Sequence, residues 1–281
     1  MSKTKTRVGI MLDKSGSMAA TKDQTISVYN EQVQQIKQFV EEGQEILVSL
    51  VTFNGSVYEH FWDQSADQLE LANSEDYQPN GGTAALDAMG YTIQKMLDTA
   101  PADDSEIAYL LILISDGDTL NDKHYSTAMI RELVEGCNST KRWTITYMGC
   151  NEASLMKMAR ATSVPTSNMA VWDNATVDAV ATSGLNYNSR SYKYFDERKK
   201  GVMASCNYMN DSVGVADFTS TVDNTSHIDA LKKMMNKSAS QPTCCTPTPK
   251  AQVIPSEITE ANKKSSAFSR GTQVEVKTKK V

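Results

Sequence analysis

Apolar residues over the first two hundred positions switch repeatedly between two periods, and that switching predicts a succession of strands and helices. Arg7–Leu12 is a near-continuous apolar run, the pattern of a strand buried on both faces. Ile26, Tyr29, Val33, Ile36 and Val40 then recur at three- and four-residue steps, predicting an amphipathic helix closed by Gly43. Ile46–Phe53 is a second apolar run. Asn54-Gly55 after it reads as a hairpin turn, so Val57–Trp62 is expected as a short antiparallel edge strand. Asn80-Gly81-Gly82-Thr83 opens another helical pattern, with Thr83 as its N-cap and Leu86, Met89, Ile93 and Leu97 on one face. Ile107–Ser115 is the most apolar stretch and belongs at the sheet centre. Beyond it the pattern predicts a helix over His124–Cys137, a strand over Thr144–Gly149 and a short helix over Glu152–Ala161. An edge strand near Met169–Trp172 and a last helix from Ala175 towards Arg198 complete the set. Strands alternating with helices in this way predict an α/β fold: a doubly wound, mostly parallel central sheet with one short antiparallel edge strand and helices on both faces.

The periodicity fades after Lys200, which divides the chain into a domain over 5–198, a partly ordered extension over 199–237 and a tail over 238–281. Ser226–Lys237 is expected as one short helix of the extension. The tail, rich in Ser, Thr, Pro and Lys, is expected to be disordered. Between Thr246 and Val281 seven Lys/Arg stand against three Glu, a basic tail on an acidic body.

A formal net charge of −6 gives no generic attraction to nucleic acid or to a membrane surface. No apolar stretch approaches the roughly 20 residues of a membrane span. The basic amino terminus leads into a strand rather than a signal-peptide core, so the expected location is the cytoplasm. The five cysteines (Cys137, Cys150, Cys206, Cys244, Cys245) are odd in number and lack zinc-site spacing, and are expected as free thiols.

Chemistry concentrates where strands end. Asp13-Lys14-Ser15-Gly16-Ser17 follows the first strand and puts one carboxylate and two hydroxyls on a tight loop. Oxygen donors at this spacing suit a small hard cation such as Mg²⁺ or Mn²⁺ better than zinc. Thr83 follows a Gly-Gly turn, and Asp116 ends the central strand within Ser115-Asp116-Gly117. In a doubly wound sheet the first and fourth strands are neighbours whose connections leave in opposite directions. The crevice at their carboxyl ends is where such folds bind ligands, and Asp13 and Asp116 would face each other across it.

Asp13-x-Ser15-x-Ser17, the threonine of Gly81-Gly82-Thr83 and the aspartate of Ser115-Asp116-Gly117 together resemble the metal-ion-dependent adhesion site (MIDAS) of von Willebrand factor A (vWA) domains. The resemblance covers roughly residues 5–198. It implies that Ser15, Ser17 and Thr83 bind a Mg²⁺ or Mn²⁺ ion through hydroxyls, with Asp13 and Asp116 acting directly or through water. It also implies a protein partner whose Asp or Glu carboxylate fills the open metal position. Lys14 departs from the bare motif by placing an ammonium beside the site. Asp118 and Asp122 add carboxylates beyond Asp116 and read as a solvated acidic loop. Asn121 reads as a cap of the following helix.

The expected role is therefore a metal-dependent binding module or adaptor rather than an enzyme. His60, His124 and His227 accompany no nucleophile in a recognisable pattern, and two carboxylates with three hydroxyls supply no obvious general base near neutrality. The alternative is a structural or assembly protein with a stabilising metal site. A Mg²⁺-dependent phosphohydrolase fits less well, because Ser15 stands where haloacid-dehalogenase-like enzymes place a second carboxylate. No Walker-type phosphate loop is present.

Overall fold

The computed structural model describes residues 4–117, 119–171, 192–204, 268 and 271–278. The first strand, β1 (Lys5–Asp13), leads through a 3₁₀ turn at Gly16–Thr21 into α1 (Lys22–Glu41). A hairpin follows, β2 (Glu45–Phe53) and β3 (Val57–Ser65), and a loop carries the chain to α2 (Ala85–Asp98). Next come β4 (Ile107–Ile114), α3 (Thr127–Ser139), β5 (Trp143–Gly149), α4 (Glu152–Thr162) and β6 (Met169–Val171). Residues 192–199 form a further helix, α5, and Thr272–Gln273 form β7.

The strand order is β6-β5-β4-β1-β2-β3-β7. Pairing is parallel from β6 to β2 and antiparallel from β2 outward. This is the doubly wound, mostly parallel sheet the periodicity predicts, and β4 is buried at all eight positions. Alternate strand residues feed two cores. Met11, Val51, Leu111, Leu113 and Ile145 pack against α2, α3 and α4. Val8, Ile10, Leu12, Leu50 and Ile112 pack against α1 and α5. At roughly 25 cal/mol per Å² of apolar surface removed from water, such two-sided burial is the main source of stability. Leu86, Met89, Ile93 and Leu97 all face the first of these cores, as their spacing requires.

Three boundaries differ from the expected ones. β3 continues to Ser65 and carries β7 outside it, so residues expected in a disordered tail include a short strand and the buried Phe268 and Val276. Thr83 is not the N-cap of α2; Ala84 holds that position without a side-chain cap. α3 starts at Thr127 rather than His124, because the Asp87 carboxylate accepts from the backbone N–H groups of Lys123, His124 and Tyr125, and Ser126 then caps the helix. Trp172, most of the helix expected from Ala175, the helix expected at Ser226–Lys237 and Asp118 lie outside the described residues. Among those described, no helix is long and apolar enough to cross a membrane.

Candidate metal site

β1 and β4 lie side by side and in parallel, with Leu12 opposite Ile114, so their following loops meet at one end of the sheet. Asp13 is fully buried there. Its Oδ2 accepts a 2.6 Å hydrogen bond from the Ser115 hydroxyl, and its Oδ1 accepts from the Ser15 amide at 2.7 Å. The Ser115 hydroxyl in turn accepts from the Gly117 amide at 3.1 Å, which ties the turn around Asp116 to the same carboxylate. Tyr77, buried beneath the loop, donates its hydroxyl to the Asp13 backbone carbonyl.

The other donors converge by backbone contacts. The Lys14 amide donates to the Phe53 carbonyl and the Asn80 amide to the Lys14 carbonyl. The Gly16 amide donates to the Gly81 carbonyl at 3.0 Å, docking the Ser15–Ser17 loop against the Gly-Gly turn before Thr83. The Ser15 and Ser17 hydroxyls hydrogen-bond to each other at 3.0 Å, Ser15 buried and Ser17 exposed.

Thr83 is nearly buried and is held by the loop after β4. Its amide donates to Asn121 Oδ1 at 3.0 Å, and its carbonyl accepts from the amides of Leu120 and Asn121. A Cβ on Gly82 would sit 1.7 Å from that Asn121 oxygen, so only glycine admits the clamp. Asp122 accepts from the amides of Leu86 and Asp87 in the first turn of α2, doing for that helix what a capping side chain normally does. Asp87 returns the interaction to residues 123–125. Asp122 and Asn121 are thus neither a solvated acidic loop nor a cap of α3; Asn121 fixes Thr83 and Asp122 fixes the first turn of α2. Tyr77, Ser115 and Asp87 were invisible as site residues in the sequence, although Ser115 stands directly before Asp116.

The electrostatics follow from burial. Desolvation, opposed by the hydrogen bonds from Ser115 and Ser15 and reinforced by the nearby Asp116 carboxylate, raises the Asp13 pKa to about 6. Burial lowers the Lys14 pKa. No cationic side chain pairs with Asp13 among the described residues. These residues also bring no three His, Cys, Asp or Glu together, so a cation here would depend on hydroxyl donors. The donor set fits one. Adjacent ligands of an octahedral Mg²⁺, at roughly 2.0–2.1 Å from the metal, lie about 2.9 Å apart. The hydrogen bond between the Ser15 and Ser17 hydroxyls holds their oxygens 3.0 Å apart, a spacing that two adjacent ligands can keep.

At the rim, Leu120 is 77 % exposed although its amide is anchored on Thr83.

A mostly parallel, doubly wound sheet with helices on both faces defines a class of α/β domains. The sequence matches the von Willebrand factor type A domain over residues 8–181, and the chain belongs to that family. Domains of this family often serve as protein-interaction or adhesion modules. Among solved structures, the chain is similar to the PilB minor pilin from Streptococcus sanguinis, with 13 % identity over 69 % of this chain and 63 % of that one and a TM-score of 0.47. It is similar to a von Willebrand factor type A protein from Catenulispora acidiphila, with 15 % identity over 68 % and 43 % and a TM-score of 0.42. It is also similar to the open conformation of the pilus adhesin SpaC from Lactobacillus rhamnosus GG, with 13 % identity over 69 % and 31 % and a TM-score of 0.49. The chain spans less than two thirds of the length of each of these three proteins. No curated protein matches it.

Proposed function

We propose that this domain is a divalent-metal-dependent protein-binding module that captures a partner's Asp or Glu carboxylate. Ser15, Ser17 and Thr83 hold Mg²⁺ or Mn²⁺ through their hydroxyls, with Asp13 and Asp116 acting directly or through water. The observation that carries this reading is the pair of mutually hydrogen-bonded Ser15 and Ser17 hydroxyls beside a buried carboxylate that, among the described residues, forms no ion pair. When bound, the metal supplies a Lewis-acidic position to which an incoming carboxylate adds. The chain's own residues do the rest. Asp13 stays in place because Ser15, Ser115 and Tyr77 hold it; Thr83 stays in place because Asn121 holds it; Leu120 offers an apolar contact beside the crevice.

The test is a calorimetric titration with Mg²⁺ and Mn²⁺, with and without excess acetate, beside Asp13→Ala. Saturable metal binding that acetate strengthens and the variant loses supports the reading. Equal metal binding by the folded variant would overturn it. Metal that raises the melting temperature while acetate and acidic peptides change nothing would mark a stabilising ion instead.

A further inference from the structure

The returning C-terminal segment lies on the outer edge of β3, at the other side of the sheet from β6. Thr272 and Gln273 pair antiparallel with Glu59 and Tyr58, and the Val274 amide donates to the Val57 carbonyl at 3.0 Å. The segment is anchored on both faces of the sheet. Phe268 packs edge-on against Tyr29 of α1, with ring centroids 5.3 Å apart, and against His60 at 5.5 Å. Val276 is buried in the opposite core, the one that α2 covers, and Val274 packs partly into it. Between the anchors Gly271 crosses the His60 ring so closely that a Cβ would stand 2.7 Å from it.

We propose that the outer edge of β3 is an exchangeable strand-binding site. It takes Phe268 and residues 271–276 of its own chain, and it takes the same residues from a second copy. An unpaired strand edge is a template for another strand, and adding one is a common mode of peptide recognition. The pairing here covers two residues, whereas β3 pairs with β2 as far as Ser65. Paired segments that short hold only through their side-chain anchors, so the strand can leave without disturbing the sheet. Residues 205–267 separate the segment from the rest of the described domain. Its described pairing and packing contacts lie on the edge of β3 and in the two cores behind it, and a second copy's segment would find the same ones. Exchange of an identical element between copies is a low-cost route to association. Specificity comes from the pattern: an aromatic residue, glycine three positions on, and valines three and five positions after that.

The test uses the full chain carrying Phe268→Asp and Val276→Asp, which frees the edge, and a fluorescent peptide of residues 266–281. Anisotropy is expected to show saturable binding, about tenfold or more tighter than to the intact chain, whose edge is filled. A Gly271→Val peptide is expected to lose at least about tenfold. In sedimentation velocity the intact chain should form dimers as concentration rises and the edge-freed chain should not. Absence of peptide binding by the folded edge-freed chain, or equal binding of the Gly271→Val peptide, would overturn the site. Peptide binding without dimers of the intact chain at any concentration would overturn exchange between copies. If the double substitution unfolds the chain, Gly271→Val in the full chain frees the same edge while keeping both apolar anchors.

Discussion

At the amino-terminal ends of the parallel strands, Arg7 donates to both oxygens of Asp63, Arg142 pairs with Asp104, and Arg198 donates to the carbonyls of Lys5 and Val202. At the carboxyl ends, by contrast, buried Asp13 meets a hydroxyl and an amide and no cation. All three arginines are at most 3 % exposed, so both ends bury charge. Only the first end answers charge with charge or with carbonyl dipoles. Removing a charge from water is costly unless a partner compensates. The end whose buried carboxylate has hydrogen bonds but no ion pair among the described residues is the end where the proposed metal would bind.

The sharpest way to break this comparison is to remove a partner at the neutralised end. Arg142→Ala leaves Asp104 buried with only the Tyr109 hydroxyl for company. It is expected to cost about 3–5 kcal/mol in urea unfolding, the usual penalty for orphaning a buried charge. Added Mg²⁺ should not recover any of it.

The matching substitution at the other end should run the opposite way. Asp13→Asn removes a carboxylate whose burial opposes ionisation, and the side-chain carbonyl oxygen it introduces still accepts from the Ser15 amide. Metal-free protein is expected to gain roughly 1–2 kcal/mol, less than the ~3 kcal/mol that a shift of about two pKa units represents, because the charge-assisted bond from Ser115 weakens. Metal binding should fall below detection in calorimetry. A loss of stability without metal would place Asp13 among the structural charges and dissolve the contrast.

Titration sharpens the same point. The Asp13 pKa is raised from 3.8 to about 6 by burial, so the folded state holds a proton that the unfolded state has released. Stability of the metal-free protein should then fall as pH rises from about 4 to 6 and level off above. Asp122, raised to about 6 chiefly by its own burial, adds a slope of the same sign. A cation competes only with the proton on Asp13. The rise in melting temperature on adding Mg²⁺ should therefore be larger at pH 7.5 than at pH 5, and Asp13→Asn should remove that difference while leaving the slope from Asp122.

Much of this was legible in the chain. The apolar runs of Arg7–Leu12 and Ile107–Ser115 fix two adjacent parallel strands, and strand topology alone brings Asp13 to Asp116. The supports were not legible, because each depends on contacts distant in sequence. Asp122 reads as one more loop carboxylate until the fold sets it beneath the α2 amides. Asp87 reads as a polar position on a helix until three amides from residues 123–125 converge on it. Composition also misleads at the end of the chain. Val274 and Val276 are two apolar residues in a polar, lysine-rich stretch, too few to announce a strand without the β3 edge they rest on.

The smallest expected effect tests whether the support beneath Asp13 belongs to the fold or to the site. Tyr77→Phe deletes one hydroxyl that donates to the Asp13 carbonyl, and it leaves the ring in its buried place against the α1 side of the sheet. The loss should be about 1 kcal/mol of stability, the net worth of one buried hydrogen bond. The Asp13 carboxylate keeps its bonds from Ser15 and Ser115, so metal affinity should stay within about threefold of the parent. A much larger loss of metal binding at the same small cost in stability would mean that the Asp13 backbone, and not the carboxylate's own hydrogen bonds, sets the geometry of the site. The division between a self-neutralised end and a ligand-ready end would then extend below the first ring of side chains, to the loop on which they are mounted.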